Sequence, residues 1–219
     1  MADAKRGFQT PPEITGYFDR KELRPGFSWK DVWGEEHAYA FTVAKATELE
    51  LLTLFRRSIG EAIAKGQGFE TWRQAILPEL QKIGWGTPRL VADPTGQAPD
   101  RMVDFTAPRR LQTIFWGNTA SARAAGQWDR AQRTKAVLPY LVYIRSASAR
   151  PREQHLRWVG IIRPIDDPWW ATHFPPNGWN CKCSVRQIDG RERGDLLDRA
   201  PAAETDPSYT DEIPVEPPR

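Results

Sequence analysis

The chain has 219 residues, of which 40% are hydrophobic and 27% are charged, with 31 Lys and Arg against 28 Asp and Glu. This size and composition are typical of one large folded domain or two small ones, and they exclude a disordered polyelectrolyte. No segment approaches the roughly 20 apolar residues of a membrane span, the N-terminal residues lack the apolar region of a signal peptide, and two cysteines do not make a disulfide scaffold. We therefore expect a protein that is made and folded in a cytosol.

The net charge of +3 is unevenly distributed along the chain. Residues 200–219 hold five acidic residues and one Arg and so carry −4, which leaves +7 on residues 1–199. A mildly basic body tolerates nucleic acid nearby, but it lacks the clustered Lys and Arg of a dedicated nucleic-acid-binding protein. A DNA-binding module stays as an alternative, which a steep salt dependence of duplex binding would support.

Pro, Gly and charged residues dominate residues 1–28, and this predicts an extended N-terminal arm. Isolated aromatic residues interrupt the polar sequence of the arm. They favour an arm that packs against its own body or a neighbouring subunit over one that is free in solution. These aromatic residues are Phe8, Tyr17, Phe18 and Phe27.

Residues 29–136 form the predicted helical region, because their apolar residues recur with a helical period. The first helix is expected to begin near Trp33 and to end at about Lys65, before Gly66 and Gly68. Its apolar face is spaced by three and four residues and consists of Phe41, Ala44, Leu51, Leu52, Phe55, Ile59 and Ile63.

Two further helices are predicted in the helical region. One spans residues 69–83, with Pro78 as a kink or break, and residues 87–106 follow it as a loop rich in Pro and Gly. The last helix begins after Pro108, a favourable residue for a first turn, and continues to about Thr134.

Residues 137–190 form a predicted β module, since short aromatic and β-branched runs replace the helical period. We expect three strands, at residues 138–145, 159–162 and 183–186, in a small antiparallel sheet surrounded by irregular loops rich in Trp and Pro. Residues 191–219 are rich in Pro and acids and are predicted to be a disordered or partner-bound tail. The fold class is therefore α+β.

Cys181 and Cys183 are the most informative residues of the β module. In a strand, residues i and i+2 face the same side, so both sulfur atoms can reach one ion while Lys182 points away. His155 and His173 are the histidines in range, and two thiolates with two imidazoles make a closed tetrahedral zinc shell. The sequence thus predicts a structural zinc site formed by these four residues.

Other interpretations of the same residues stay open. The cysteines can be two reduced, buried thiols, since the one-residue spacing is shorter than in usual zinc motifs, and the histidines can be oriented by Asp166 or Asp167. A zinc- or cysteine-dependent hydrolase or nuclease is the enzymatic alternative, with Cys181 or Cys183 paired to His155 as a nucleophile. A closed metal shell leaves no position for water, and glycine-rich phosphate loops, HExxH and GxSxG motifs are absent from the sequence, so we expect no enzyme.

Five arginines near the histidines also have two interpretations. They can pair with Asp166, Asp167 and Asp189, or they can face phosphate groups; structural ion pairing is favoured because no basic stripe with interleaved aromatic residues accompanies them. The five are Arg145, Arg150, Arg152, Arg157 and Arg163.

A series of short motifs that follow one another in the β module resembles the signature of the phage Mu F-like minor head protein family. This family is related to the gp7-type head morphogenesis proteins. The N-terminal half is similar as well, from the run WGEEHAYAFTVA at residues 33–44 onwards, so that the resemblance covers residues 14–190. The series comprises Arg152-x-x-His155, Trp158-x-Gly160, Pro164-x-Asp166-Asp167-x-Trp169 and Pro175-Pro176-Asn177-Gly178-Trp179-x-Cys181-x-Cys183.

The resemblance implies a minor capsid protein of a tailed phage or prophage, with no catalytic role. Such a protein is expected in low copy in the virion, at the portal vertex or in the capsid interior, and to act in head assembly and be delivered with the DNA in some cases. The implied partners are the portal protein, the major capsid protein or both, with packaged DNA as a further candidate and no small-molecule substrate.

The resemblance also bears on the metal site and on the ends of the chain. It favours zinc on the signature residues His155, Cys181 and Cys183 together with His173. Many family members have Thr or Asp before Arg-x-x-His, whereas residues 146–151 read SASARP here, which puts a polar role of that position in doubt. The chain ends soon after the core, and we therefore expect no appended effector domain.

Overall fold

A computed structural model of the chain describes residues 10–25, 40–96, 98–178 and 180–199. These residues form helices, two antiparallel sheets and one short parallel strand pair, so the predicted α+β class is confirmed. The chain divides into two units, residues 1–123 and 124–219, with the division inside a long helix. The sequence instead predicted a boundary between residues 136 and 137.

Within its described residues, the first unit contains three helices, two strand pairs and the start of a fourth helix. Its core is formed by buried aromatic and aliphatic side chains of these elements. In chain order the elements are α1 (Pro12–Asp19), β1 (Glu22–Leu23), β2 (Ala40–Phe41), α2 (Leu49–Ala64), α3 (Phe69–Lys82), β3 (Arg89–Val91), β4 (Arg101–Val103) and α4 (Pro108–Thr134), which continues into the second unit.

The prediction of an extended N-terminal arm is wrong for residues 12–19, which form helix α1 with Pro12 in its first turn. Phe18 is 1% exposed, and its ring meets Phe41 edge-on with centroids 5.6 Å apart. Tyr17 also packs against the core of the first unit, so the expected packing of the segment on its own body is confirmed. Residues 1–9 and 26–28 of the predicted arm lie outside the described residues.

The prediction of one helix from near Trp33 to Lys65 is wrong for residues 40–48, whereas its start near Trp33 lies outside the described residues. Helix α2 begins only at Leu49, and Ala40–Phe41 form a strand that pairs in parallel with Glu22–Leu23. Lys45 has a left-handed backbone with φ of 69°, which interrupts any helix before Glu48. The helical spacing of Phe41 and Ala44 arises by coincidence, because a partner about 18 residues away fixes this segment as a strand.

The two other predicted helices are confirmed, as Phe69–Lys82 and Pro108–Thr134. Helix α3 continues through Pro78, so the expected break is absent. The predicted loop at residues 87–106 contains the antiparallel pair β3–β4, in which Leu90 lies opposite Met102. The sequence pattern did not predict these strands because three residues are too few to show an alternating pattern.

The second unit is built on a three-stranded antiparallel sheet, as predicted, and the first of its strands in chain order lies between the two later ones. The end of α4 packs against it through Ala131 and Trp128, and three buried Trp residues fill the same core. The elements after α4 are β5 (Tyr140–Ile144), α5 (Glu153–Arg157), β6 (Ile162–Pro164), α6 (Trp170–His173), β7 (Ser184–Ile188) and α7 (Gly190–Arg199).

Two boundaries in the second unit differ from the predictions. Strand β6 begins at Ile162, since Gly160 has φ of 89° and forms a turn, although the Gly160 amide still donates to the Tyr143 carbonyl at 2.9 Å. Residues 190–199 form helix α7, whereas a tail was predicted from residue 191. Leu196 and Leu197 pack against the sheet and account for this helix. The rest of the predicted tail lies outside the described residues.

None of the helices in the described ranges combines sufficient length with sufficient apolar character to span a membrane.

Candidate metal centre

His155, Cys181 and Cys183 converge at one edge of the second unit. His155 lies on the short helix α5 and is 4% exposed. The two half-buried cysteines precede strand β7, and the Ala147 amide donates to the Lys182 carbonyl between them at 3.2 Å. The loop after β5 and the segment before β7 thus hold the thiols beside the imidazole.

The distances in this cluster fit a tetrahedral metal ion. The His155 Nδ1 atom lies 3.6 Å from the Cys181 sulfur and 3.7 Å from the Cys183 sulfur, and all three donor atoms lie within 4.8 Å of one another. For zinc with bonds of about 2.0 Å to nitrogen and about 2.3 Å to sulfur, tetrahedral geometry places N and S about 3.6 Å apart. The donor set and its spacing therefore suit zinc.

Trp158 fixes the orientation of the His155 ring. The two rings are stacked with centroids 4.9 Å apart and an interplanar angle of 18°. Trp158 is itself 3% exposed and meets the Tyr143 ring edge-on at 5.8 Å. A buried imidazole that stacks on a buried indole loses little further freedom when it binds an ion, so the geometry favours a preorganised site.

The structure does not bring His173 to this cluster. The residue ends helix α6, where its Nδ1 lies 3.0 Å from the Trp169 carbonyl and 2.8 Å from the Thr172 hydroxyl. Its ring stacks on Trp169 with centroids 4.0 Å apart and meets Trp158 edge-on at 4.7 Å. Three of the four predicted ligands are therefore together, while His173 belongs to the aromatic core.

Burial of His173 has an electrostatic consequence. The imidazole is 3% exposed, and its Nε2 has no hydrogen-bond partner among the described residues. Burial lowers the pKa of His173 below its ordinary value, and the nearby Arg163 adds to the effect against the opposing hydrogen bond to Trp169. The neutral ring is thus the form that the folded protein favours.

The two thiols have opposite tendencies to ionise. A hydrogen bond from the Cys181 thiol, with a smaller contribution from His155, holds the pKa of Cys183 below its ordinary value, although burial opposes this shift. The same hydrogen bond, together with burial, raises the pKa of Cys181. A thiolate beside an imidazole favours metal binding, because a cysteine binds a metal in its deprotonated form. The nucleophilic alternative for Cys183 and His155 stays a prediction.

Asp166 and Asp167 do not orient the histidines. Asp167 accepts a hydrogen bond from Arg163 at 2.9 Å and one from the Trp169 amide at 2.8 Å, whereas Asp166 pairs with Lys135 at 2.9 Å. That alternative interpretation is therefore wrong, and the structural ion pair expected for Arg163 is confirmed.

Sequence reasoning missed the role of Asn177 and Tyr143 in supporting the site. Asn177 is 8% exposed, and its amide donates to the Tyr143 hydroxyl at 3.0 Å and to the His173 carbonyl at 2.9 Å. Burial raises the pKa of Tyr143, with a further contribution from Cys183. The turn sequence Asn177-Gly178 was the available signal, but nothing in the sequence places it beneath strand β5.

Residues 54–186 match the family model described as Phage Mu protein F like protein. The chain belongs to this family. The matched residues include His155, Cys181 and Cys183, so the metal cluster lies inside the Mu F-like region.

Two relatives of the Mu F-like chain carry informative names. A protein of Escherichia phage Mu that is named as a capsid assembly protein, F, is 36% identical over 186 residues, which are 85% of this chain and 42% of that protein. The Mu-like prophage FluMu F protein of Haemophilus influenzae, strain Rd, is 34% identical over 165 residues, 74% of this chain and 38% of that protein. The chain thus spans about two fifths of the length of these relatives. No solved structure shows significant similarity to the chain.

Proposed function

We propose that this chain acts in the assembly of a tailed-phage or prophage head as a minor capsid protein. The observation that carries the proposal is its membership of the Mu F-like family, together with 36% identity to a relative named for capsid assembly. The similarity extends over 85% of this chain, so it includes both units of the fold. The proposed role is structural, and the protein is not an enzyme.

The proposed place of the protein is the virion, in low copy, at the portal vertex or in the capsid interior. Its partners there are the portal protein, the major capsid protein or both, with packaged DNA nearby and delivery with the genome as a further step. The mildly basic charge of residues 1–199 supports a location close to DNA.

The proposed metal is a structural zinc ion on His155, Cys181 and Cys183. It would join helix α5 to the segment before β7, and so cross-link two parts of the second unit that lack long regular secondary structure between them. Zinc bound by thiolate and imidazole contributes folding free energy directly, because the unfolded chain has no preformed site. Support for this proposal comes from the donor distances.

Copy number in purified virions is the experiment that tests the proposed function. Quantitative mass spectrometry would compare this chain with the portal and major capsid proteins of the same particles. We expect from a few to tens of copies per particle, and defective heads when the gene is deleted and normal heads when it is supplied in trans. A chain that is expressed but absent from virions, with normal heads after deletion, would contradict the proposal.

A further inference from the structure

A cavity of about 220 Å³ opens beside the metal cluster. His155 and Cys181 form one wall of it, and the loop at residues 146–152 with Asn180 and Lys182 forms the remainder. Because a water molecule occupies about 30 Å³ in the liquid, this volume holds several waters or one small polyatomic ion. Two of the three residues of the cluster therefore line a space that a small ligand can enter.

The charge of the cavity lining is of one sign. Arg150, Arg152 and Lys182 line it, and no acidic residue is among the described residues that do so. Guanidinium groups bind carboxylate and phosphate oxygens through paired, charge-assisted hydrogen bonds. The chemistry of the lining thus selects an anion with oxygen ligands.

Arg152 is positioned by the turn that follows α6. Its Nη1 donates to the Asn177 carbonyl at 3.4 Å, and its guanidinium lies about 4.0 Å from the place where a Cβ would stand on Gly178. A larger residue at position 178 would also be strained, since the backbone there has φ of 82°. The turn thus leaves room for the guanidinium and helps to hold it at the cavity.

Two serine residues, Ser146 and Ser148, also line the cavity. The Ser146 hydroxyl accepts a hydrogen bond from the Ser148 amide at 3.1 Å, and the Ser148 hydroxyl accepts one from the Arg150 amide at 3.2 Å. These contacts leave the hydroxyl hydrogens available as donors to an anion. Residues 146 and 148 therefore add neutral donors to the cationic lining.

We propose that this cavity is a binding site for a small oxyanion, a phosphate or carboxylate group, which Arg150, Arg152 and Lys182 hold next to the metal cluster. The inference rests on the proposed metal site for its location, but the anion-binding groups belong to other residues. Phosphate and carboxylate groups both present anionic oxygens that the cationic lining can bind. Comparison of their affinities shows which of the two groups the ligand contains.

Isothermal titration calorimetry of the full chain with inorganic phosphate and, separately, with acetate tests the proposal. We expect saturable binding that Arg150→Gln and Lys182→Gln each weaken about tenfold, as for loss of one charge-assisted hydrogen bond. Arg157→Gln is the matched control, because Arg157 is an exposed arginine of the same segment that does not line the cavity. Thermal melting of each variant verifies that it is folded.

The outcomes separate this inference from the metal proposal when the metal content of the same samples is measured. Tighter binding of phosphate assigns the site to a phosphate group, and tighter binding of acetate assigns it to a carboxylate. Binding that depends on Arg150 supports the anion site with or without metal in the sample, whereas protein that does not retain added zinc contradicts only the metal site. Metal-loaded protein that binds neither anion below about 10 mM, or binds equally in Arg150→Gln and Arg157→Gln, overturns the anion site.

Discussion

Trp158 is in contact with both histidines of the second unit, yet the two have different roles. His155 stacks on the face of this ring and points Nδ1 at two sulfur atoms, whereas His173 meets the ring edge-on and is bonded to the Trp169 carbonyl. Of the two imidazoles, only that of His155 lies beside both sulfur atoms, and it is therefore the one that we propose as a metal ligand.

Substitution of a ligand separates these roles. We expect Cys183→Ser to lose the metal and to lower the Tm by about 10 °C, because a structural zinc contributes several kcal/mol. His173→Gln is the control: it also loses packing in the core but retains the metal. Metal analysis and thermal melting with and without a chelator measure both effects. A Cys183→Ser protein with the wild-type Tm in both conditions would contradict the metal site.

The lowered pKa of His173 makes stability dependent on pH. In the unfolded chain the imidazole takes up a proton near pH 6.5, whereas burial holds the pKa of the folded form lower. The contribution of the neutral ring is therefore complete above about pH 6.5 and is lost as the pH falls towards the folded pKa. Urea unfolding between pH 7.5 and 5.5 should show a steeper loss of stability in wild-type protein than in His173→Gln. Equal slopes would refute the assignment, and the comparison cancels metal release common to both proteins.

At the scale of elements, helix α1 is a docked part of the first unit. Phe18→Ala should destabilise the unit by about 3–5 kcal/mol, because it removes a fully buried ring. Phe18→Leu, which keeps most of the apolar volume, should recover part of this loss. Denaturant unfolding measures both variants against wild type. An unchanged midpoint in Phe18→Ala would show that residues 12–19 behave as the free arm.

The elements differ in how well the sequence predicts them. Helices α3 and α4 were predicted closely because a long amphipathic run and its flanking Gly or Pro are local signals. Strands β1 to β4 were missed because each has only two or three residues, and their pairing partners lie elsewhere in the chain. Strand β5 has five residues of clear β character and was located.

The candidate site was predicted only in part, because some of its residues give local sequence signals and others depend on long-range contacts. The spacing of Cys181 and Cys183 is a local signal, and His155 and His173 were both proposed because they are the histidines in range. The exclusion of His173 depends on ring stacking with Trp169, and the support from Asn177 depends on contacts across 34 residues with Tyr143. Such contacts arise from tertiary packing, which a single sequence does not encode in any short pattern.

At the scale of the whole molecule, charge is divided between residues 1–199 and the acidic residues 200–219. Removal of residues 200–219 would change the net charge from +3 to +7. We expect the shortened chain to bind duplex DNA more tightly at low salt, with an affinity that falls steeply as salt increases. A full-length variant with the five acids changed to Asn or Gln should behave in the same way. Equal, salt-independent affinities of all three proteins would contradict this electrostatic role.

Because His155 stacks on Trp158, the fluorescence of this tryptophan can report on metal binding at the proposed site. An indole 4.9 Å from a ligand imidazole lies well within the range at which a bound paramagnetic ion, such as cobalt(II), quenches fluorescence. Cobalt bound at the proposed zinc site would therefore reduce the fluorescence of Trp158. Comparison with Trp158→Phe would identify the contribution of this residue among the ten tryptophans. The protein thus contains its own optical probe, with which occupancy could be followed in intact particles without a label.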